Sequence, residues 1–364
     1  MSHHDDTMIA DSVARLFGDH VDKAVRDRAE TGVLDTALWR QVAGAGLPLM
    51  LATEAAGGLG QGWLAAYPVL RGLGYWQVPL PLAETMVAAQ LLSQAGLPVP
   101  DGPLTLIEQG QGNTLQAAGD GAVVQVSGAA HRVPWARHAQ GAVLSLRDGR
   151  LALLDLRDMT QGPAVTLQPH ANHAGLSADT VVFNQARCVA VARNPTPLAQ
   201  PVWTLGAVAR SAMIVGALEW ALAQTVAYAG DRVQFGKPIG KNQAIQQNLA
   251  LMAGDVAAAR VAALVAAADV SGADGAAAVF SAAVAKVRCG EAATRGTGIA
   301  HQVHGAIGFT HEHALHFATR RLWAWREEFG SDAHWAAELG RAAIATRADG
   351  FWPAVTSKHF PSMS

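Results

Sequence analysis

Charge is scarce in this sequence. Only 15% of its 364 residues are Asp, Glu, Lys or Arg, while half are hydrophobic. That balance excludes a disordered chain. It suits a large, well-buried, oligomeric protein of two or three domains. Neither sign dominates, and the formal net charge is −2. Without a basic surplus, neither nucleic acid nor an anionic membrane is indicated as a partner. Cysteine is rarer still: Cys188 and Cys289 are the only two. They exclude a disulfide framework and match no metal motif, so both read as buried small hydrophobes in a reducing compartment. An uninterrupted apolar run is also missing. The most apolar stretch, Val256 to Val270, contains Arg260 and Asp269 and is too short to span a bilayer. The N-terminal MSHHDDTMIADSVARL is polar and acidic, unlike a signal peptide. Its His3–His4 pair is too short a run for a metal site and reads as a loose end. The expectation is a soluble, cytoplasmic protein.

What is present falls into three textures: a mainly α chain with a middle β-domain. Residues 1–100 carry amphipathic helical patterns such as SVARLFGDHVDKAVRDRA and WLAAYPVLRGLGYW, with apolar residues at three and four spacings. The run AAGGLG, Ala55 to Gly60, reads as a turn, with a phosphate-approaching loop as the alternative. Residues 101–198 switch to short alternating runs, among them AVVQVSG, GAVLSLRDG and DTVVFNQA. These predict antiparallel strands, too closely spaced for βαβ units, and so a compact barrel or sandwich. Residues 199–364 return to long Ala-rich helices, from about 202 to 230, 241 to 271 and 273 to 302, whose small residues suit a bundle.

Two strings carry chemistry. In YAGDRVQFGKPIGKNQAIQ, Tyr228 to Gln246, glycine and proline break two helices. Arg232 and Lys237 lie in the break, and Gln243 opens the next helix. A cation beside a helix N-terminus is a natural anion site, and Arg offers a bidentate fork for phosphate. An ordinary helical corner with solvated cations reads equally well. In QVHGAIGFTHEHALHFATRR, Gln302 to Arg321, Glu312 is the only acid. A base that removes a proton from carbon must be held, poorly solvated and reachable. A surface Glu beside a glycine turn is the alternative. His301 and His304 read as packing groups, and His311 and His313 as loop-capping or surface residues; no spacing supports a metal.

Together the two strings resemble the signatures of the acyl-CoA dehydrogenase family. The first is similar to its YxxxRxQFGxPIxxxQ pattern and the second to Q-x-x-G-G-x-G-F-T-x-E, in the same order and separation. The register continues: Arg320 falls on a commonly basic position, and Gly330 and Ser331 fall on the family's Gly-Thr near the flavin. Similarity is weaker over LWRQVAGAGLPLML and weakest over residues 100–200. The resemblance implies an N-terminal helical domain, a small β-barrel and a C-terminal four-helix bundle. It implies FAD as cofactor, an acyl-CoA as substrate and electron-transfer flavoprotein as acceptor. The assembly would be a homo-oligomer or a heterotetramer with a related subunit. Arg232, Phe235 and Gln243 would meet the adenine-pyrophosphate half of the flavin. Gln302 and Gly305 would line the same region, and Ser331 would lie near it. Glu312 would remove the α-proton of the thioester in an apolar pocket, and the flavin would accept the β-hydride.

The pattern is broken in places. The base that some relatives carry on an earlier helix would fall at Gly206, and the usual helical Arg at Ala207; neither is present. Glu219 on that helix reads as structural. Ala306 replaces a Gly and Asn242 a Phe. The family's Trp-Ile-Thr falls on Arg132, Val133 and Pro134, leaving Trp135 as a stand-in or a core residue. Its Thr-Glu-x-x-x-Gly-Ser string has no clear counterpart near LTLIEQGQGNTLQ. These losses resemble a divergent branch, some of whose members pair with an unlike partner on bulky acyl-CoAs such as steroid side chains. A half-site or non-catalytic subunit, and a related flavin oxidase or monooxygenase, are the alternatives.

Overall fold

The computed structural model describes residues 3–119, 123–157, 164–360 and 363; the side chains of residues 3–7, His3 and His4 included, lie outside the described residues. Two compact units emerge. One gathers Met1–Arg26, Tyr67–Val78 and Ala207–Ser364; the other gathers Asp27–Ala66 and Pro79–Gly206.

The chain opens with helices α1 (His3–His20), α2 (Lys23–Glu30), α3 (Thr36–Gly44), α4 (Trp63–Tyr75) and α5 (Leu82–Gln94). The N-terminal segment expected to be loose is thus helical from His3. Asp35 starts α3 by accepting the amides of Ala37 and Leu38 at 3.1 and 2.9 Å, the usual Asp N-cap. The AAGGLG run is a turn closed on itself: Gly58 and Gly60 donate their amides to Thr53 and Ala52 carbonyls. Those amides are therefore spent internally rather than held out for a phosphate.

Eight strands of the second unit form two four-stranded sheets. One has the order β1 (Leu104–Glu108), β4 (Gly141–Ser145), β5 (Arg150–Asp155), β8 (Ala190–Arg193). The other runs β2 (Gln116–Ala118), β3 (Gln125–Pro134), β7 (Ala178–Arg187), β6 (Val165–Gln168). They share one core, in which Ile107, Val126, Leu144, Leu154 and Phe183 are buried. Every pairing within these sheets is antiparallel except β1 with β4, which is parallel. Period-two alternation marks a strand without marking its direction, so sequence pattern missed this one.

The first unit is dominated by α6 (Pro201–Asp231), most of which lies in it, with α7 (Gln243–Asp269), α8 (Gly275–His304), α9 (Leu315–Glu327) and α10 (Asp332–Ser357). α10 bends at Arg347, where φ is 60°. Small residues set the packing. A Cβ added at Gly74 on α4 would overlap the Met213 carbonyl oxygen of α6, and one added at Gly216 on α6 would overlap the Arg71 carbonyl oxygen of α4. The two backbones touch there with no side chain between them. Cys188 and Cys289 are buried and free, as expected.

Two helices, Pro201–Asp231 and Gln243–Asp269, are long and apolar enough to cross a membrane by length and composition. The stretch expected to be too short thus belongs to a 27-residue helix. The first helix is mostly buried. The second carries Asp255, paired with Arg295 at 3.0 Å, and Arg260, 3.7 Å from Glu219. It leaves Leu251, Val261, Leu264 and Val265 exposed.

Candidate functional site

The Arg232 string folds as a hairpin at the end of α6. β9 (Val233–Gln234) pairs with β10 (Lys237–Pro238) across Phe235 and Gly236, with φ of 51° and 79°. Two consecutive left-handed residues define the tight hairpin turn that favours Gly at its second position. A Phe at the first position is strained, and its ring is fully exposed. The Arg232 amide donates to the Tyr228 carbonyl and the Ile239 amide to the Arg232 carbonyl, at 2.9 and 2.8 Å. Asn242, which departs from the family's Phe, caps α7 by accepting the Ala244 amide at 3.0 Å. Arg232, Lys237 and Gln243 are all exposed.

The second string begins where α8 ends. Gly305 turns the chain with φ 62° and ψ −145°, and a Cβ added there meets nothing within 4 Å. A backbone open on that side permits close approach of a ligand. A 3-10 turn, Gly305–Phe309, leads to the Glu312 loop. Imidazoles pack around it. His304 stacks on Tyr228 at 4.5 Å and lies 4.7 Å from His313. His301 stacks on Phe309 at 4.2 Å. His313 accepts the Leu315 amide at 3.2 Å, the loop-capping role expected of it. Burial pushes His301, His304 and His313 below the ordinary imidazole value, which favours their neutral forms. Among the described residues no three of the His, Cys, Asp and Glu side chains converge as a metal set.

Glu312 does not occupy the setting expected of it. The carboxylate is exposed, so the chain alone supplies no apolar pocket to shield it. A different carboxylate, Glu328, is shielded. Its side chain is 13% exposed and accepts from Arg210 Nε at 2.6 Å. Arg210 is buried and its guanidinium also lies 5.3 Å from the Phe329 ring. It stands three residues beyond Ala207, on the next turn of α6, and its guanidinium is spent on Glu328. Glu328 leads into Phe329, Gly330 and Ser331. Ser331 caps α10 by accepting the His334 amide at 3.1 Å. Sequence reasoning passed over Glu328, although an acid two residues before a Gly-Ser pair was its visible signal. Glu219 is structural, as expected: it pairs with Arg71 at 2.5 Å.

A groove of about 620 Å³ runs between α8 and α9, lined by Thr297, His301, Gln302, Phe309, Arg320 and Trp323 among others. Thr297 Oγ1 and His301 Nδ1 are buried in it without a hydrogen-bond partner. Orphaned polar atoms in a cavity invite a polar ligand.

In the β-domain, Arg132 and Trp135 adopt left-handed φ of 53° and 59°. Trp135 is buried, so it reads as core. Pro134 has no amide to donate. Glu108 ends β1 and accepts the Trp203 amide at 3.0 Å; burial pushes its carboxyl up to about 8. Gly112 and Asn113 follow at the spacing of Glu-x-x-x-Gly-Ser, with Asn113 in place of Ser. Asn113 donates to the Glu108 carbonyl at 2.9 Å.

Comparison with known proteins identifies the family. Residues 3–98 match the family model of the acyl-CoA dehydrogenase N-terminal domain, and residues 198–344 match the model of its C-terminal domain. Acyl-CoA dehydrogenase FadE27 of Mycobacterium tuberculosis is 30% identical over 314 residues, covering 78% of this chain and 81% of that protein. The chain belongs to the acyl-CoA dehydrogenase family. It is an oxidoreductase of that kind, and the family implies FAD. Acyl-CoA dehydrogenase IpdE2 of the same organism is 28% identical over 317 residues, 86% of this chain and 89% of that one. The ChsE4–ChsE5 complex from Mycobacterium tuberculosis superposes with a TM-score of 0.84 at 25% identity, covering 96% of this chain and 99% of that one.

The residues present fit one half of the flavin better than the other. The exposed Arg232 and Phe235, the open backbone at Gly305 and the orphaned polar atoms beside Gln302 suit an adenine-pyrophosphate group. Arg132, Val133 and Pro134 do not suit the ring, for which the family uses Trp and Thr.

Proposed function

We propose that this chain is a subunit of a flavin-dependent acyl-CoA dehydrogenase that removes hydrogens from the α and β carbons of an acyl-CoA thioester. It keeps the domain division at residues 1–100, 101–198 and 199–364. The observation that carries the reading is the pairing of two open elements in one unit: the Arg232 hairpin and the Gly305–Glu312 segment, tied by the stack of His304 on Tyr228. Arg232 would hold pyrophosphate oxygens, Phe235 and Gln243 would flank the adenine side, and Gln302 and Gly305 would line the same region. When bound, the flavin supplies an acceptor for the β-hydride. Ser331 would lie beside it.

Glu312 is the base in this reading, taking the α-proton on its carboxylate. It needs a covering surface, because desolvation is what would raise its basicity. Glu328 is its rival, being the carboxylate that this chain shields by itself. The exposed Glu312, the fully exposed Phe235 and the apolar face of α7 all favour completion of the site by another chain. The name of the ChsE4–ChsE5 complex points to an unlike one. A second copy of this chain or a related subunit would serve, giving a homo-oligomer or a heterotetramer. Electron-transfer flavoprotein is the acceptor in either case.

The visible spectrum of the protein, expressed alone and with a co-encoded related subunit, tests this. Yellow protein bleached by an acyl-CoA is expected in at least one of the two preparations. Colourless protein in both preparations would overturn the reading. Arg232→Ala is expected to weaken flavin retention roughly tenfold, since an unpaired phosphate charge would remain.

A further inference from the structure

Lys286 is fully buried in the middle of α8, on the face it shares with Ala282, Cys289 and Ala293. Its ammonium donates to three carbonyls: Trp325 at 3.0 Å, Arg326 at 3.0 Å and Glu328 at 2.8 Å. They lie at the end of α9, where a helix leaves its last carbonyls without partners and its dipole is negative. The chain then turns through Phe329 and Gly330, both left-handed with φ of 53° and 90°. Two further bonds fix the turn. Arg210 holds Glu328, and Trp335 Nε1 donates to the Phe329 carbonyl at 3.0 Å. The charged or titratable groups facing Lys286 are Glu328, Cys289, Arg210 and Glu327.

A buried ammonium is a poor way to gain stability. An apolar side chain of similar volume does as well or better, because the ion is costly to desolvate. What Lys gives, and an alkyl chain cannot, is simultaneous fixation of three converging carbonyls before a strained turn. We propose that Lys286 is a positioning residue of the cofactor site: by clamping the end of α9 it sets the Phe329–Gly330 turn and the place of Ser331. The inference rests on the reading that Ser331 lies beside the flavin.

The test compares Lys286→Met and Lys286→Arg with wild type in the flavin-loaded assembly, with Asp269→Asn as a destabilised control. Asp269 takes no part in the Lys286 clamp and holds Lys358 at 2.7 Å. Flavin content, visible spectrum and the split between kcat and KM are read at matched folded fraction. Lys286→Met is expected to lower flavin affinity about tenfold and shift the spectrum, with KM little changed. Lys286→Arg should restore part of the affinity, and Asp269→Asn should leave flavin untouched. Wild-type affinity and spectrum in Lys286→Met would overturn the inference while leaving the functional reading intact. A flavin-free wild type would defeat the functional reading itself. If Lys286→Met yields no soluble chain, Lys286→Gln replaces it, with an expected affinity loss of about threefold; no loss would overturn the inference.

Discussion

Glu312 and Glu328 stand sixteen residues apart, one at each end of the α9 region, and the chain treats them oppositely. The first sits on an open loop that follows the left-handed Gly305, exposed and without an ion pair among the described residues. The second is enclosed by Arg210, and Lys286 clamps its carbonyl with those of Trp325 and Arg326 just before the Phe329–Gly330 turn. The buried cations thus converge on the Gly330 turn, while the Arg232 hairpin and Glu312 loop stay open. Rigid parts are what a chain can complete alone; open ones wait for a second surface.

The comparison breaks most sharply on turnover. In the active assembly, Glu312→Gln is expected to cost on the order of 10²–10⁴ in kcat with flavin still bound, the range of a lost general base. Loss in Glu328→Gln with retention in Glu312→Gln would transfer the role to the shielded carboxylate. Next comes stability. Arg210→Ala should cost about 3 kcal/mol in denaturant unfolding, because removing one partner strands a largely buried charge. A cost near zero would mean that Glu328 finds solvent. A smaller effect is read from pH. Burial lowers the Lys286 ammonium from 10.5 to about 7, against the opposing pull of Glu328. Between those values the unfolded chain binds the extra proton, so wild type should gain stability relative to Lys286→Met as pH rises from about 7. A flat difference would place the folded value much higher. Least of all, Phe235→Ala should leave the stability of the isolated chain within about 0.5 kcal/mol. The same change should weaken flavin retention or subunit association, measured by absorbance and sedimentation.

Much of this fold was legible. Helical spacing, the strand textures and the helix breaks at Gly236 and Gly305 announce themselves by period and punctuation. The parallel β1–β4 pair did not, because direction leaves no mark on alternation. Lys286 and Arg210 were hidden differently. Each lies in an Ala-rich run where apolar residues occupy nearly every face, so no stripe identifies the buried side. A lone cation flanked at i−4 and i+3 by Ala282 and Cys289 was the available clue. Solvent exposure of Glu312 was invisible for another reason: loop context fixes residue type, while shielding depends on distant chain or on another molecule.

The crossing of α4 and α6 has a consequence for how this protein can vary. Gly74 and Gly216 are each other's clearance: neither helix can acquire a side chain there unless the other retreats. A single change to Ala at either position has no local compensation, because the obstacle is main chain and cannot be swapped for something smaller. Drift elsewhere on these helices is free to remodel surfaces and pockets, while this contact keeps one helix indexed against the other, like a pin through two gears.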